Sequence, residues 1–205
     1  MEDIIMKKPV VLVIMDGVGK GDGGPGDAVA QARTPNLDRL FATCPYTWLK
    51  AHGTAVGLPS DEDMGNSEVG HNALGCGQVY SQGAKLVQES IDSGSIFQSK
   101  NWLELSANCK EAGRTMHFIG LLSDGNVHSN INHLFALLRK AREQDLRSVC
   151  VHTLLDGRDV PATSALEYID QLEAVLAELS DETHDYRIAS GGGRMQNTMG
   201  RYQAT

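Results

Sequence analysis

Between Asn101 and Ser190 the chain alternates between helix-sized amphipathic segments and short apolar runs, and few folds accept that alternation. "NWLELSANCKEAG" (Asn101 to Gly113) has helical periodicity and stops at Gly113, and "RTMHFIGLL" then reads as a strand. "NHLFALLRKAREQ" and "SALEYIDQLEAVLAEL" are helical, while "RSVCVHTLL" and "YRIAS" are strand-like. Strands separated by helices of this length cannot pair as hairpins. They predict a βαβαβ unit with a parallel sheet and right-handed crossovers, and so an α/β fold.

Open parallel sheets bind ligands beyond the carboxyl ends of their strands. Each strand here runs into a polar loop: "SDGNVHSN" (Ser123 to Asn130), "DGRDVPATS" (Asp156 to Ser164) and "SGGGRMQN" (Ser190 to Asn197). The loops should lie side by side and bring His128, Arg158, Asp159 and Arg194 to one edge. That edge reads as a cationic pocket suited to a small phosphorylated or carboxylated acid, because guanidinium groups grip such anions bidentately. The alternative for Arg158 and Asp159 is a surface ion pair.

The earlier part of the chain is less regular. "PVVLVIM" (Pro9 to Met15) has the pattern of a strand buried on both faces, and Asp16 follows it. Asp16 is placed as a metal ligand often is in α/β enzymes, or as a turn-forming residue. The glycine-dense stretch after it is a loop, and it lacks the spacing of a nucleotide-binding motif. "TPNLDRLFA" predicts a short helix with Thr34 as N-cap and Pro35 at the first position. In "MGNSEVGH" (Met64 to His71), Ser67 reads as an N-cap, and equally as a hydroxyl that could carry a phosphate at a helix N-terminus. His71, one turn on, is either its base or a histidine simply packed or exposed on the helix. His128 and His133 lack the spacing of a paired zinc motif. The pattern becomes regular from about residue 80, which places a boundary near Gly77 to Gly83 and divides the chain into residues 1–79 and 80–205.

Bulk properties exclude some classes. A formal charge of -8 over 205 residues argues against nucleic acid or an anionic membrane as partner. Cys44, Cys76, Cys109 and Cys150 are scattered without CxxC spacing and read as reduced thiols of a cytoplasmic protein. The apolar run near the N-terminus is too short to span a bilayer and lacks the form of a signal peptide.

Six stretches, "VIMDGVG", "ARTPNLDRL", "MGNSEVGHNALGCG", "SDGNVHSNINHL", "LLDGRDVPATSA" and "SGGGRMQNTMGRY", resemble in order those of the cofactor-independent (2,3-bisphosphoglycerate-independent) phosphoglycerate mutases. That family belongs to the alkaline phosphatase superfamily. The resemblance implies an alkaline-phosphatase-like parallel-sheet segment over residues 1–79 and a phosphoglycerate-binding transferase domain over residues 80–205, both incomplete. Ser67 matches the serine that becomes phosphorylated and ligates metal, and Asp16 matches a carboxylate of the same metal centre. His128, Arg158, Asp159, Arg194 and Arg201 match the substrate-binding residues, with Asp159 also the proton shuttle. The implied reaction interconverts 3- and 2-phosphoglycerate through a phosphoserine, with two Mn2+ or Mg2+ ions and no 2,3-bisphosphoglycerate. The implied complete form is a monomer.

Family members are more than twice as long, so the chain is expected to end inside the transferase-like domain, without most metal ligands. The expectation is a poorly soluble or inactive product unless it pairs with the remainder. Two alternatives stand beside the mutase: another phosphatase or phosphomutase of the superfamily, and a non-catalytic phosphoglycerate-binding module.

Overall fold

A computed structural model describes residues 9–198. The chain forms two compact units, Met1–Leu49 and Lys50–Thr205.

In the first unit, α1 (Ala28–Gln31) is capped by Asp27, whose carboxylate accepts from the Ala30 and Gly23 amides at 3.0 Å each. Those two bonds hold Asp27 below the ordinary carboxylate value. α2 (Pro35–Thr43) has the expected Thr34 N-cap position and Pro35 in its first turn. The Thr34 hydroxyl, however, donates to Asp38 Oδ1 at 2.9 Å instead of capping a backbone N–H. The rings of Phe41, Tyr46 and Trp48 pack together with centroids 5.2 to 5.9 Å apart. The expected strand from Pro9 to Met15 is not formed, and Val10 is 95 % exposed. A strand's hydrogen bonds all run to a neighbour, and the described residues of this unit contain no strand to supply one.

The second unit begins with a 3-10 turn at Gly53–Val56, then α3 (Ser67–Cys76) and α4 (Gly83–Asp92). A second 3-10 turn, Ser95–Gln98, leads into α5 (Lys100–Glu111), which ends before Gly113 in the left-handed region at φ +59°. The alternation predicted from the sequence follows: β1 (Met116–Leu122), α6 (Ile131–Glu143), β2 (Ser148–Leu155), α7 (Ala165–Leu179), β3 (Asp185–Gly193) and the single turn α8 (Arg194–Asn197). The sheet is parallel in the order β1-β2-β3, with Met116 opposite Val149 and Val149 opposite Tyr186. β3 is longer than "YRIAS" suggests, because the Gly191 to Gly193 run continues the ladder.

Strand order and handedness together decide the layering. Two right-handed crossovers stepping in the same direction put α6 and α7 on the same face of the sheet. The core is accordingly one-sided: Leu138 and Ala141 of α6 and Leu172 and Leu176 of α7 are buried with Leu122, Val149, Val151 and Tyr186 of the strands. On the opposite face Ile119 is 72 % exposed. Parallel sheets are ordinarily covered on both faces, and among the described residues helices cover this one on one face. A smaller cluster, Val56, Leu58 and Val69, holds α3 against the first 3-10 turn.

Candidate functional site

The three loops at the carboxyl ends of the strands do meet, and Asp156 is the residue that ties them. Its carboxylate accepts from the Ser123 hydroxyl at 2.6 Å, from the amides of Arg158 and Asp159 at 3.1 Å each, and from Arg194 Nη1 at 2.9 Å. Burial pushes the Asp156 carboxyl up, but the bonds from Ser123, from the two amides and from Arg194 outweigh it and hold it below its ordinary value. Arg194 Nη1 also donates to Asp159 Oδ2 at 2.6 Å. The Arg194 side chain is buried, so desolvation works against its charge, while Asp159 and Asp156 raise its pKa on balance.

The loop after β1 is fitted closely against this knot. A Cβ at Gly125 would stand 3.0 Å from the Asp159 Cβ, so only glycine lets the chain pass without displacement. Asn126 adopts φ +59° and its Nδ2 donates to Asp63 Oδ1 at 2.7 Å, fastening this loop to the segment that precedes α3. Asp124 accepts from the Tyr168 hydroxyl at 2.5 Å, and that bond, with burial, pushes the phenol up to about 12.

Ser67 is not the N-cap of α3. Asn66 is: its Oδ1 accepts from the Val69 amide at 3.0 Å, which leaves Ser67 exposed in the first helical position. Gly65 packs so closely that a Cβ there would lie 2.0 Å from the Ala51 carbonyl oxygen, which fixes the approach of the chain to the helix. His71 Nδ1 is 3.1 Å from Ser67 Oγ and 2.7 Å from the Ser67 carbonyl oxygen. A carbonyl oxygen can only accept, so the shorter contact requires the proton on Nδ1. That nitrogen then has no lone pair for the serine proton, and His71 is unsuited as its base.

Ser67, Glu68, His128, Arg158, Asp159 and Arg194 share the lining of one cleft of about 530 Å³. Five residues singled out in the sequence therefore meet. The cationic character expected there is offset, because Asp156 and Asp159 engage Arg194 and Glu68 also faces the cleft. Asp156 is the residue that the sequence reading does not single out. Its signal is its position as the first residue after β2, which is indistinguishable in sequence from a turn-forming aspartate. Arg201 lies outside the described residues. Asp16 belongs to the first unit, exposed in the turn after Met15. Among the described residues no group of three or more His, Cys, Asp or Glu side chains is arranged to hold a metal ion, so these residues by themselves do not fit a two-ion centre. No helix among them is long and apolar enough to cross a membrane.

Comparisons with known proteins bear on the family. The family model described as BPG-independent PGAM N-terminus (iPGM_N) matches residues 87–204. A probable 2,3-bisphosphoglycerate-independent phosphoglycerate mutase of Leptospira interrogans is 51 % identical over 199 residues, covering 96 % of this chain and 36 % of the relative. The 2,3-bisphosphoglycerate-independent phosphoglycerate mutase of Trypanosoma brucei brucei is also 51 % identical, over 97 % of this chain and 36 % of its own length. A crystal structure of Leishmania mexicana phosphoglycerate mutase at low cobalt concentration superposes with a TM-score of 0.82 at 48 % identity, covering 91 % of this chain and 34 % of that one. The chain thus spans about a third of the length of the relatives it matches. With half of its aligned positions identical and most of its length inside the family model, the chain belongs to the 2,3-bisphosphoglycerate-independent phosphoglycerate mutase family.

Proposed function

We propose that the chain takes part in interconverting 3-phosphoglycerate and 2-phosphoglycerate, with Ser67 as the transient phosphoryl carrier. In this reading residues 1–79 belong to the phosphatase-like part and residues 80–205 hold the glycerate. The observation that carries it is the shared cleft of Ser67, His128, Arg158, Asp159 and Arg194. The phosphoryl group leaves one glycerate hydroxyl oxygen for Ser67 Oγ, the glycerate turns, and the group returns to the other hydroxyl. Ser67 stands in the first turn of a ten-residue helix, where backbone N–H groups and the helix dipole favour an attached anion. Arg158, Arg194, Arg201 and His128 hold the substrate anion. An incoming phosphate or carboxylate competes with Asp159 for Arg194, and this releases the Asp159 carboxylate to carry the proton of the glycerate hydroxyl.

A serine is a poor nucleophile at its free pKa, and Mn2+ or Mg2+, when bound, supplies alkoxide stabilisation in such chemistry. Asp16 and Ser67 are the donors assigned to this chain; two fall short of the roughly four to six that an ion takes. We assign the reaction to the cytoplasm, consistent with four free cysteines, to a complete form that is monomeric, and to no nucleic-acid or membrane partner.

The test mixes the chain with the remaining two thirds of a relative's chain, adds 3-phosphoglycerate and Mn2+, and follows phosphopeptides and product. Phosphate on Ser67 and turnover in the mixture are expected, and turnover that survives Ser67→Ala overturns the reading. A second reading, a non-catalytic phosphoglycerate-binding fragment, is favoured by the lack of a three-donor cluster among the described residues. Calorimetry distinguishes it: metal-independent binding of 3-phosphoglycerate, with no phosphoserine even in the mixture, selects the binding fragment.

A further inference from the structure

Two imidazoles meet on the sheet face that α6 and α7 leave uncovered. His117 of β1 pairs in register with Cys150, and Ile119 with His152, so the two histidines are diagonal neighbours on one face. Their rings stack with centroids 5.2 Å apart and 20° between planes, and His117 Nδ1 lies 2.9 Å from His152 Nε2. Two ring nitrogens at this separation share one proton, since two lone pairs or two N–H groups would repel. The far nitrogen of His152, Nδ1, is 2.7 Å from Ser190 Oγ on β3. The irregularity between Val151 and His152 makes this contact, because it brings Ser190 opposite His152. In the tautomer that donates Nδ1–H to Ser190, the His152 lone pair is on Nε2 and is aimed at His117.

We propose that His117 and His152 form a binding site for one divalent transition-metal ion of the zinc, cobalt or nickel class, with Ser190 as a positioning residue. The ion takes the place of the shared proton, which moves from Nδ1 to Nε2 of His117. Both imidazoles stay neutral, two nitrogen–metal bonds form, and water completes the coordination. Metal–nitrogen bonds of about 2.0 to 2.1 Å at a tetrahedral angle set the two nitrogens roughly 3.3 to 3.4 Å apart. The pair must therefore open by about half an ångström, which a ring rotation of exposed His117 can provide. No third His, Cys, Asp or Glu side chain among the described residues joins them, and Cys150, although it pairs with His117, is buried. The nearby cation on this face, Arg187, is paired with Asp185. The site is open, with two protein donors and a hydrogen-bonded second partner of the kind that orients metal-binding histidines. It uses none of the residues assigned to phosphoryl transfer, so either proposal can fail without the other.

The test titrates the whole chain with Zn2+ by calorimetry near neutral pH, and with Co2+ by visible absorption. One zinc equivalent is expected. His117→Ala and His152→Ala should each weaken it by about tenfold or more, and Ser190→Ala by a smaller factor of about tenfold at most. His52→Ala, far from this face in sequence, should leave the affinity within about twofold. Imidazole 15N spectra of the unmodified chain provide a check that needs no variant, with zinc shifting the His117 and His152 resonances. The proposal is overturned if the double variant His117→Ala/His152→Ala keeps the native affinity, or if zinc leaves those two resonances unmoved.

Discussion

Residues 9–15 and 149–155, "PVVLVIM" and "VCVHTLL", are close in composition and end in opposite states. Val149 is 0 % exposed in the central strand of the parallel sheet, whereas Val10 is almost wholly exposed and carries no strand. The difference is not in the side chains. β2 has β1 and β3 to take its N–H and C=O groups and α6 and α7 to cover one face. The segment after Pro9 has no such neighbour among the described residues of its unit. An apolar run is thus a demand for burial, and only other parts of the structure can meet it. Such an exposed run is also a pairing hazard.

The widest expected gap between the two regions is in amide exchange. The amides from Val10 to Ile14 should exchange at nearly unprotected rates, and those from Val149 to Leu154 slower by several orders of magnitude, as mass spectrometry of quenched peptides will show. Equal protection would break the comparison.

Core truncation should be almost as unequal. Leu172→Ala removes a fully buried side chain of α7 and should cost about 2 to 5 kcal/mol in urea unfolding, while Val11→Ala should stay within about 0.5 kcal/mol.

A third contrast lies inside the site. Asp156→Ala leaves the buried Arg194 with one carboxylate and should cost about 3 kcal/mol. Because the folded-state pKa of Asp156 is depressed, its contribution is present above the ordinary carboxylate value and is lost as pH falls through the folded value. Asp156→Asn should therefore flatten the loss of stability as pH falls through and below the ordinary carboxylate value. An unchanged acid limb would assign that loss to other carboxylates.

The smallest effect concerns the cap. Asn66→Ala should cost about 1 kcal/mol, and Ser67→Ala only a few tenths, because the capping oxygen belongs to Asn66. The reverse order in thermal unfolding would restore Ser67 as the cap.

Much of the fold was legible in the chain. Helix stops such as Gly113, the N-terminal proline of α2 and the alternation of periods are local signals, and the parallel sheet follows from them by connectivity. Less of the site was legible. The residues Ser67, His128, Arg158, Asp159 and Arg194 could be named from loops at strand ends and from the family resemblance. The hydrogen bonds that Asp156 makes to three loops could not, since turn formation and ion-pair anchoring look alike in sequence. That His71 Nδ1 is committed to a carbonyl, and so carries no lone pair toward Ser67 Oγ, also became visible only from its distance to that carbonyl.

By itself the sequence determined what depends on neighbours along the chain: where helices start and stop, which runs are apolar, and which polar residues end each strand. Tertiary structure decided what depends on partners brought from afar. Among the described residues it left Pro9 to Met15 without a partner strand, set α6 and α7 on one face of the sheet, and turned Arg194 toward two carboxylates. The physical reason is that helices satisfy their backbone hydrogen bonds locally, whereas strands and buried ion pairs need partners that only the folded chain supplies.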